Sequence, residues 1–363
     1  MSVQACRDAL LNIARVSGGN ASLLLASYLQ AQKTEGDANQ ADEHLALLKA
    51  AIQASHNAKP FYENAYRRRT AYLAKLCNPV CAEFKVKGRL IVGLGGENVL
   101  ETGITLQHTY GTPVIPGSAL KGLAAHYCDQ VWGLENPEFK RKVAVDKDKQ
   151  VREVFRQGTY HHILFGNNED CGHITFHDAW LVPDSLDKKN EGLVLDVMTP
   201  HHGDYYMAED ETPPADFDDP TPLPFLAVAG TFQLVISTDD DSENGKQWVV
   251  RAMELLSAAL ENWGVGGKTN AGYGRMKPVE EPTPAILEQI VAKIKQENHI
   301  PDEKINDVWR GQPLARWWKE LPEENEKSTI KSAIIKVWIK NGWWTSPQGG
   351  AKKAKAIYEG TTL

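Results

Sequence analysis

Between residues 83 and 277 the apolar pattern changes period in the order strand, helix, strand, strand, helix, strand, and this order restricts the fold more than any other feature. The first strand is marked by Phe84, Val86, Leu90 and Val92 alternating with Lys85, Lys87 and Arg89. The first helix is predicted in Pro116-Gly-Ser-Ala-Leu-Lys-Gly-Leu-Ala-Ala-His, with Ser118 as its N-cap. A second strand runs through Gly172-His-Ile-Thr-Phe-His-Asp-Ala-Trp-Leu-Val, with Ile174, Phe176 and Trp180 on one face. The third is a long alternating run from Val228 through Phe232, Leu234 and Ile236. Trp248, Ala252, Leu255, Leu256, Ala259 and Trp263 then recur at helical spacing, and a last strand starts near Gly272. This is the βαββαβ order of a ferredoxin-like α+β fold, an antiparallel sheet with both helices on one face.

The junction between the second helix and the last strand reads GVGGKTNAGYGRMK, residues 264–277, with five glycines and three cations and no carboxylate. Glycines let the backbone adopt positive φ and approach a ligand closely, and successive free amides make an anion-binding concavity. Lys268, Thr269, Asn270 and Arg275 add a point charge, a hydroxyl, an amide and a planar fork, the inventory for holding a phosphodiester. A plain helix C-cap explains one or two glycines but not five. Gly267-Lys268-Thr269 mimics the end of a nucleotide-binding P-loop, but Asn262 stands where that pattern needs glycine. The order is also inverted, because here a helix precedes the loop and a strand follows it.

A net charge of -7 excludes coating of nucleic acid by bulk electrostatics, so any such site is a local patch. Five scattered cysteines, at 6, 77, 81, 128 and 171, do not form a disulfide framework and point to the cytoplasm. No cofactor or metal site is expected. His173 and His177, four residues apart on a strand, lie too far apart for one ion and read as hydrogen-bonded structural histidines. His201, His202 and Asp204 offer acid, base or phosphate-binding groups without a visible third partner. The stretch from Asp204 to Pro220 carries seven carboxylates and no cation, and reads as an exposed loop. No run is long and apolar enough to span a membrane.

Residues 1–80 read as a helical N-terminal extension and residues 81–280 as the ferredoxin-like domain with insertions. In the former, Arg67, Arg68 and Arg69 fan around a helix, as solvated surface or as an RNA or acidic-partner contact. Residues 281–363 form a helical C-terminal extension holding six of the ten tryptophans, at 309, 317, 318, 338, 343 and 344. They make either a small Trp-rich core, or a docking surface or aromatic platforms for single-stranded RNA.

The ordered strings PGSALKGLAAHY, LFG, GHITFHDA, DVMTPHHGDYY and WGVGGKTNAGYGR closely resemble the RAMP superfamily of CRISPR-associated proteins over residues 83–277. The resemblance implies a ferredoxin-like (RRM-like) RAMP fold, here with helical extensions at both ends. It implies a non-catalytic RNA-binding subunit of the type III-B RNA-guided effector, the Cmr complex, acting in antiviral defence. Such a subunit holds the 3′ region of the guide (CRISPR) RNA, caps a stack of related subunits, and has guide RNA, target RNA and other Cmr subunits as partners. Target cleavage belongs to a different subunit, so no intrinsic nuclease activity is expected. A stand-alone endoribonuclease that processes precursor guide RNA is the alternative. Carried over by motif, Gly117, Ser118, Lys121, Gly266, Gly267, Lys268, Thr269 and Asn270 face the guide backbone. Tyr273 and Arg275 either join them or pin the loop, and the role of His201 and His202 stays open.

Overall fold

The computed structural model describes residues 3–4, 19–29, 31–32, 40–96, 100, 102–145, 154–199, 222–279, 285–322, 324–344 and 347–359. His201, His202 and the acidic stretch to Pro220 lie outside these residues. The chain divides into two compact units, Met1–Val279 and Glu280–Leu363. No helix among the described residues is long and apolar enough to cross a membrane.

In the first unit, helices α1 (Ala21–Ser27), α2 (Gln40–Asn57) and α3 (Lys59–Leu73) precede strand β1 (Val80–Val86). Then follow β2 (Leu106–Gln107), β3 (Thr112–Ile115), α4 (Gly117–Tyr127) and α5 (Thr159–Phe165). Next come β4 (Ile174–Phe176), β5 (Ala179–Leu181), β6 (Gly192–Met198), β7 (Leu223–Ala229) and β8 (Thr231–Thr238). Helix α6 (Glu243–Asn262) and strand β9 (Met276–Pro278) complete it. The main sheet runs β9-β1-β8-β5-β3-β2, with β4 also pairing β8. Counting only the βαββαβ strands, the spatial order is fourth, first, third, second, and every pairing is antiparallel. The ferredoxin-like expectation therefore holds at the level of strand order.

Helix α6 starts where the Ser242 hydroxyl accepts from the Gly245 amide at 3.2 Å. Its apolar stripe, Val249, Ala252, Leu255, Leu256 and Ala259, is buried in the core that also takes Leu120 and Ala124 of α4 and Phe84, Val86 and Met276 of the sheet. Over β5 and β8 the opposite sheet face is covered by α3. The Tyr62 hydroxyl donates to the Leu181 carbonyl at 2.6 Å, and its ring stacks on Trp180 with centroids 5.6 Å apart. Arg69 lies 4.9 Å over Trp180 and donates to the Gln233 side chain at 3.0 Å and to the Asp178 carbonyl. Of the three consecutive arginines, the third is thus a packing residue, while Arg67 and Arg68 are exposed. Over β5 and β8, α3 occupies the face on which RRM modules stack bases, whereas Cys81, Glu83 and Lys85 leave that face of β1 exposed.

Three strand expectations need correction. The first strand ends at Val86, because Gly88 turns the chain at φ +75°, and Leu90 only bridges to Val228. The run beyond Val228 is two strands in two sheets: β7 pairs with β6, β8 joins the main sheet, and the switch occurs at Gly230, φ +129°. The strand through His177 is also broken. Phe176 pairs with Ile236 while Trp180 pairs with Gln233, so one extra residue is inserted and Trp180 points to the face opposite Ile174 and Phe176.

The second unit contains α7 (Ala285–Glu297), α8 (Ile305–Trp309), α9 (Gln312–Lys319), α10 (Glu324–Lys340) and α11 (Gly350–Glu359). Its core is built on Leu287, Leu314, Ile330, Ile334, Trp338 and Tyr358.

Candidate RNA-binding groove

The Gly-rich segment leaves α6 and returns as the edge strand β9. Positive φ occurs at Gly264 (+82°), Gly266 (+91°), Lys268 (+56°), Gly272 (+89°) and Gly274 (+73°). Much of this conformation serves packing. A Cβ on Gly266 would stand 2.0 Å from the Ile91 carbonyl oxygen, and one on Gly274 would stand 1.9 Å from that of Val265. The loop is seated by amide-to-carbonyl bonds from Gly267 to Ile91 (2.8 Å), Gly274 to Arg89 (2.7 Å) and Val265 to Gly274 (3.0 Å). Beneath it lie Ile91, Val194, Phe225 and Ala227, against which the Tyr273 ring packs. The Tyr273 hydroxyl donates to Asp196 at 2.9 Å, and Arg89 stands 3.8 Å from the same carboxylate oxygen. Burial first, then the hydrogen bond to Asp196, raises the pKa of this phenol and keeps it protonated. Of the two readings left open for Tyr273, pinning the loop is the one its contacts match.

Internal bonds consume the amides of Gly264, Val265, Gly267 and residues 271–274, whereas those of Gly266, Lys268, Thr269 and Asn270 have no acceptor among the described residues. Lys268 and Arg275 are exposed and make no ion pair among the described residues. Gly266, Thr269, Asn270 and Arg275 line an open groove of about 790 Å³, whose other wall is Ala119, Leu123 and His126 of α4. Trp263 forms an aromatic wall, its ring 5.0 Å from His126 and 4.9 Å from Tyr127. Among the described residues no carboxylate lines this groove. It offers free amides, a hydroxyl, a side-chain amide and a guanidinium beside two aromatic rings, a set suited to a phosphodiester with its ribose or base alongside.

The two motifs singled out in the sequence thus meet, but not at the helix start. Ser118 is not the N-cap; Pro116 is, and the Gly117 amide donates to the Asp178 carboxylate at 2.7 Å. The positive end of the α4 dipole therefore already faces an anion. Gly117 is buried, since a Cβ there would meet the Phe176 carbonyl oxygen at 2.1 Å. Ser118 is exposed but does not line the groove, and at about 3.6 residues per turn Lys121 falls on the flank away from Ala119 and Leu123. Sequence reasoning missed His126 and Trp263 as groove residues. Both sit inside strings already picked out, and only the fold sets them side by side. His173 and His177 are hydrogen-bonded, to Asp239 at 3.1 Å and to Ser237 at 2.9 Å. Among the described residues no group of three or more His, Cys, Asp or Glu could hold a metal ion.

Residues 83–277 match the sequence profile of the RAMP superfamily. The chain belongs to the RAMP superfamily. A relative from Pyrococcus furiosus, CRISPR system Cmr subunit Cmr6, is 29% identical over 260 residues, which covers 62% of this chain and 75% of the relative. Among solved structures, one chain in the cryo-EM structure of the Type III-B Cmr-beta bound to cognate target RNA aligns at 18% identity and TM-score 0.46, over 69% of this RAMP protein and 77% of that chain. The crystal structure of Cmr6 from Pyrococcus furiosus aligns at 30% identity and TM-score 0.33, over 55% of this chain and 98% of that one.

Proposed function

We propose that this RAMP protein is a non-catalytic, RNA-binding structural subunit of a type III-B CRISPR (Cmr) effector complex. In this role it holds the 3′ region of the guide RNA and caps the stack of related subunits. Family membership and the likeness to a relative named as a Cmr subunit support the assembly. The observation that carries RNA binding is the groove, which no carboxylate lines among the described residues and in which loop amides without acceptors among those residues stand beside Arg275 and an aromatic wall. Amides and cations hold a strand through its phosphates without reading bases, which suits a scaffold that must accept any guide sequence. Gly266, Thr269, Asn270 and Arg275 form the contact, with Trp263 and His126 beside it and Lys268 adding charge from the same loop, while Gly267 seats the loop on Ile91. Tyr273 acts through the loop it anchors, and Gly117 and Lys121 are left out of the contact.

Single-stranded RNAs of different sequence, titrated against the full-length chain at several salt concentrations, test this. Lys268→Ala and Arg275→Ala are expected to weaken binding equally for every sequence, each reducing the slope of log K against log salt by about 0.7. Loss confined to one sequence would overturn sequence-independent binding, and specific RNA cleavage that vanishes in His201→Ala or His202→Ala would replace the scaffold with a processing nuclease.

A further inference from the structure

Four cations meet across the ladder between β1 and the edge strand β9. The register sets Lys85 opposite Lys277, and on the next rung the Lys87 amide donates to the Arg275 carbonyl at 2.7 Å. Like charges facing each other across a ladder destabilise it. Lys85 is compensated by Glu191 at 3.2 Å. Of the remaining three, Lys87 and Lys277 share one carboxylate, and Arg275 pairs with none among the described residues. A single oxygen of Glu261, in the last turn of α6, stands 3.8 Å from the Lys87 ammonium and 3.6 Å from that of Lys277. Loss of surrounding water and the adjacent Lys277, with a smaller part from Arg275, lower the Lys87 pKa despite Glu261. An edge lysine that blocks strand-to-strand aggregation accounts for Lys277 on β9. It does not account for Lys87, which follows the last residue of β1 and whose amide is already bonded to the Arg275 carbonyl, nor for Arg275, which precedes β9.

The cluster adjoins the groove. Arg275 belongs to both, and Glu261 directly precedes Asn262 and Trp263, which line the groove. We propose that Lys87, Arg275 and Lys277 form a second phosphate subsite, filled in the free protein by the Glu261 carboxylate, which a backbone phosphate of the RNA strand leaving the groove displaces. The subsite rests on the reading of the groove as an RNA site. Glu261 holds the cations together in the absence of RNA and competes with the phosphate, so it sets the affinity and its salt sensitivity.

The test uses the full-length chain and a mixed-sequence single-stranded RNA, titrated between about 50 and 200 mM salt. Glu261→Gln is expected to tighten binding several-fold and to steepen the salt dependence, whereas Lys87→Ala and Lys277→Ala each flatten it by about 0.7 of slope. All three side chains are largely exposed, so unchanged thermal unfolding serves as the folding control. If Lys268→Ala weakens binding while Glu261→Gln, Lys87→Ala and Lys277→Ala leave it unchanged, the subsite is wrong and the groove stands. If the wild-type chain binds no RNA, free or assembled with its partners, the groove reading fails and the subsite with it.

Discussion

Gly274→Ala is expected to unseat the Gly-rich loop, destabilising the first unit by about 2–5 kcal/mol through overpacking and a left-handed backbone together. A methyl group at this position would sit 1.9 Å from the Val265 carbonyl oxygen and 2.9 Å from its amide nitrogen, at a φ of +73°. Neither contact can yield cheaply, because both atoms are backbone and the Val265 amide is itself bonded to the Gly274 carbonyl. Gly272→Ala is the matched control. Its φ is +89°, but nothing lies within 4 Å of the added carbon, so only the conformational cost of about 1–2 kcal/mol applies. Denaturant unfolding of both variants should separate them, and RNA affinity should fall more than about tenfold for Gly274→Ala because the free amides lose their arrangement. Equal effects of the two substitutions would mean that the loop does not depend on its close approach to Val265.

This contrast shows what the sequence can reveal about such a loop. Five glycines among cations point to an anion site, and four amides of the loop have no acceptor among the described residues. Yet Gly266 and Gly274 answer to Ile91 and Val265, contacts that no local pattern announces. The order of elements was legible because the apolar period changes from strand to helix and back. The breaks at Gly230 and around His177 were not, because a run of alternating residues gives no sign of where its pairing partner changes. Ser118 looked like a cap because local sequence offers only local acceptors, whereas the carboxylate that caps α4 comes from Asp178 on a neighbouring strand connection. His126 and Trp263 were invisible as a pair for the same reason: their proximity is a product of α4 packing on α6. Arg69 reversed its expected role because the helix that carries it covers the sheet face.

Trp338→Ala is expected to unfold the second unit. Trp338 is the largest fully buried side chain in the protein's described residues, its indole N–H donates to the Trp309 carbonyl at 2.8 Å, and its ring meets Trp344 and Tyr358 edge-on at 5.8 and 5.9 Å. Truncating a buried tryptophan costs about 3–5 kcal/mol, comparable with the whole stability of a domain this small. Trp338→Phe keeps much of the ring but leaves the Trp309 carbonyl without its donor, and should cost about 1–3 kcal/mol. The competing role, an aromatic platform for single-stranded RNA, requires free ring faces. Three of the five partly exposed tryptophans of this unit have cations over them: Lys331 over Trp318 at 5.4 Å, Lys355 over Trp344 at 4.9 Å and Arg310 over Trp343 at 5.9 Å. Hydrogen exchange of the full-length variant, resolved by segment, separates the roles. Loss of protection across residues 285–359 with the first unit unaffected marks a structural core. Retained protection combined with weakened RNA binding would make this tryptophan a platform and overturn the core assignment.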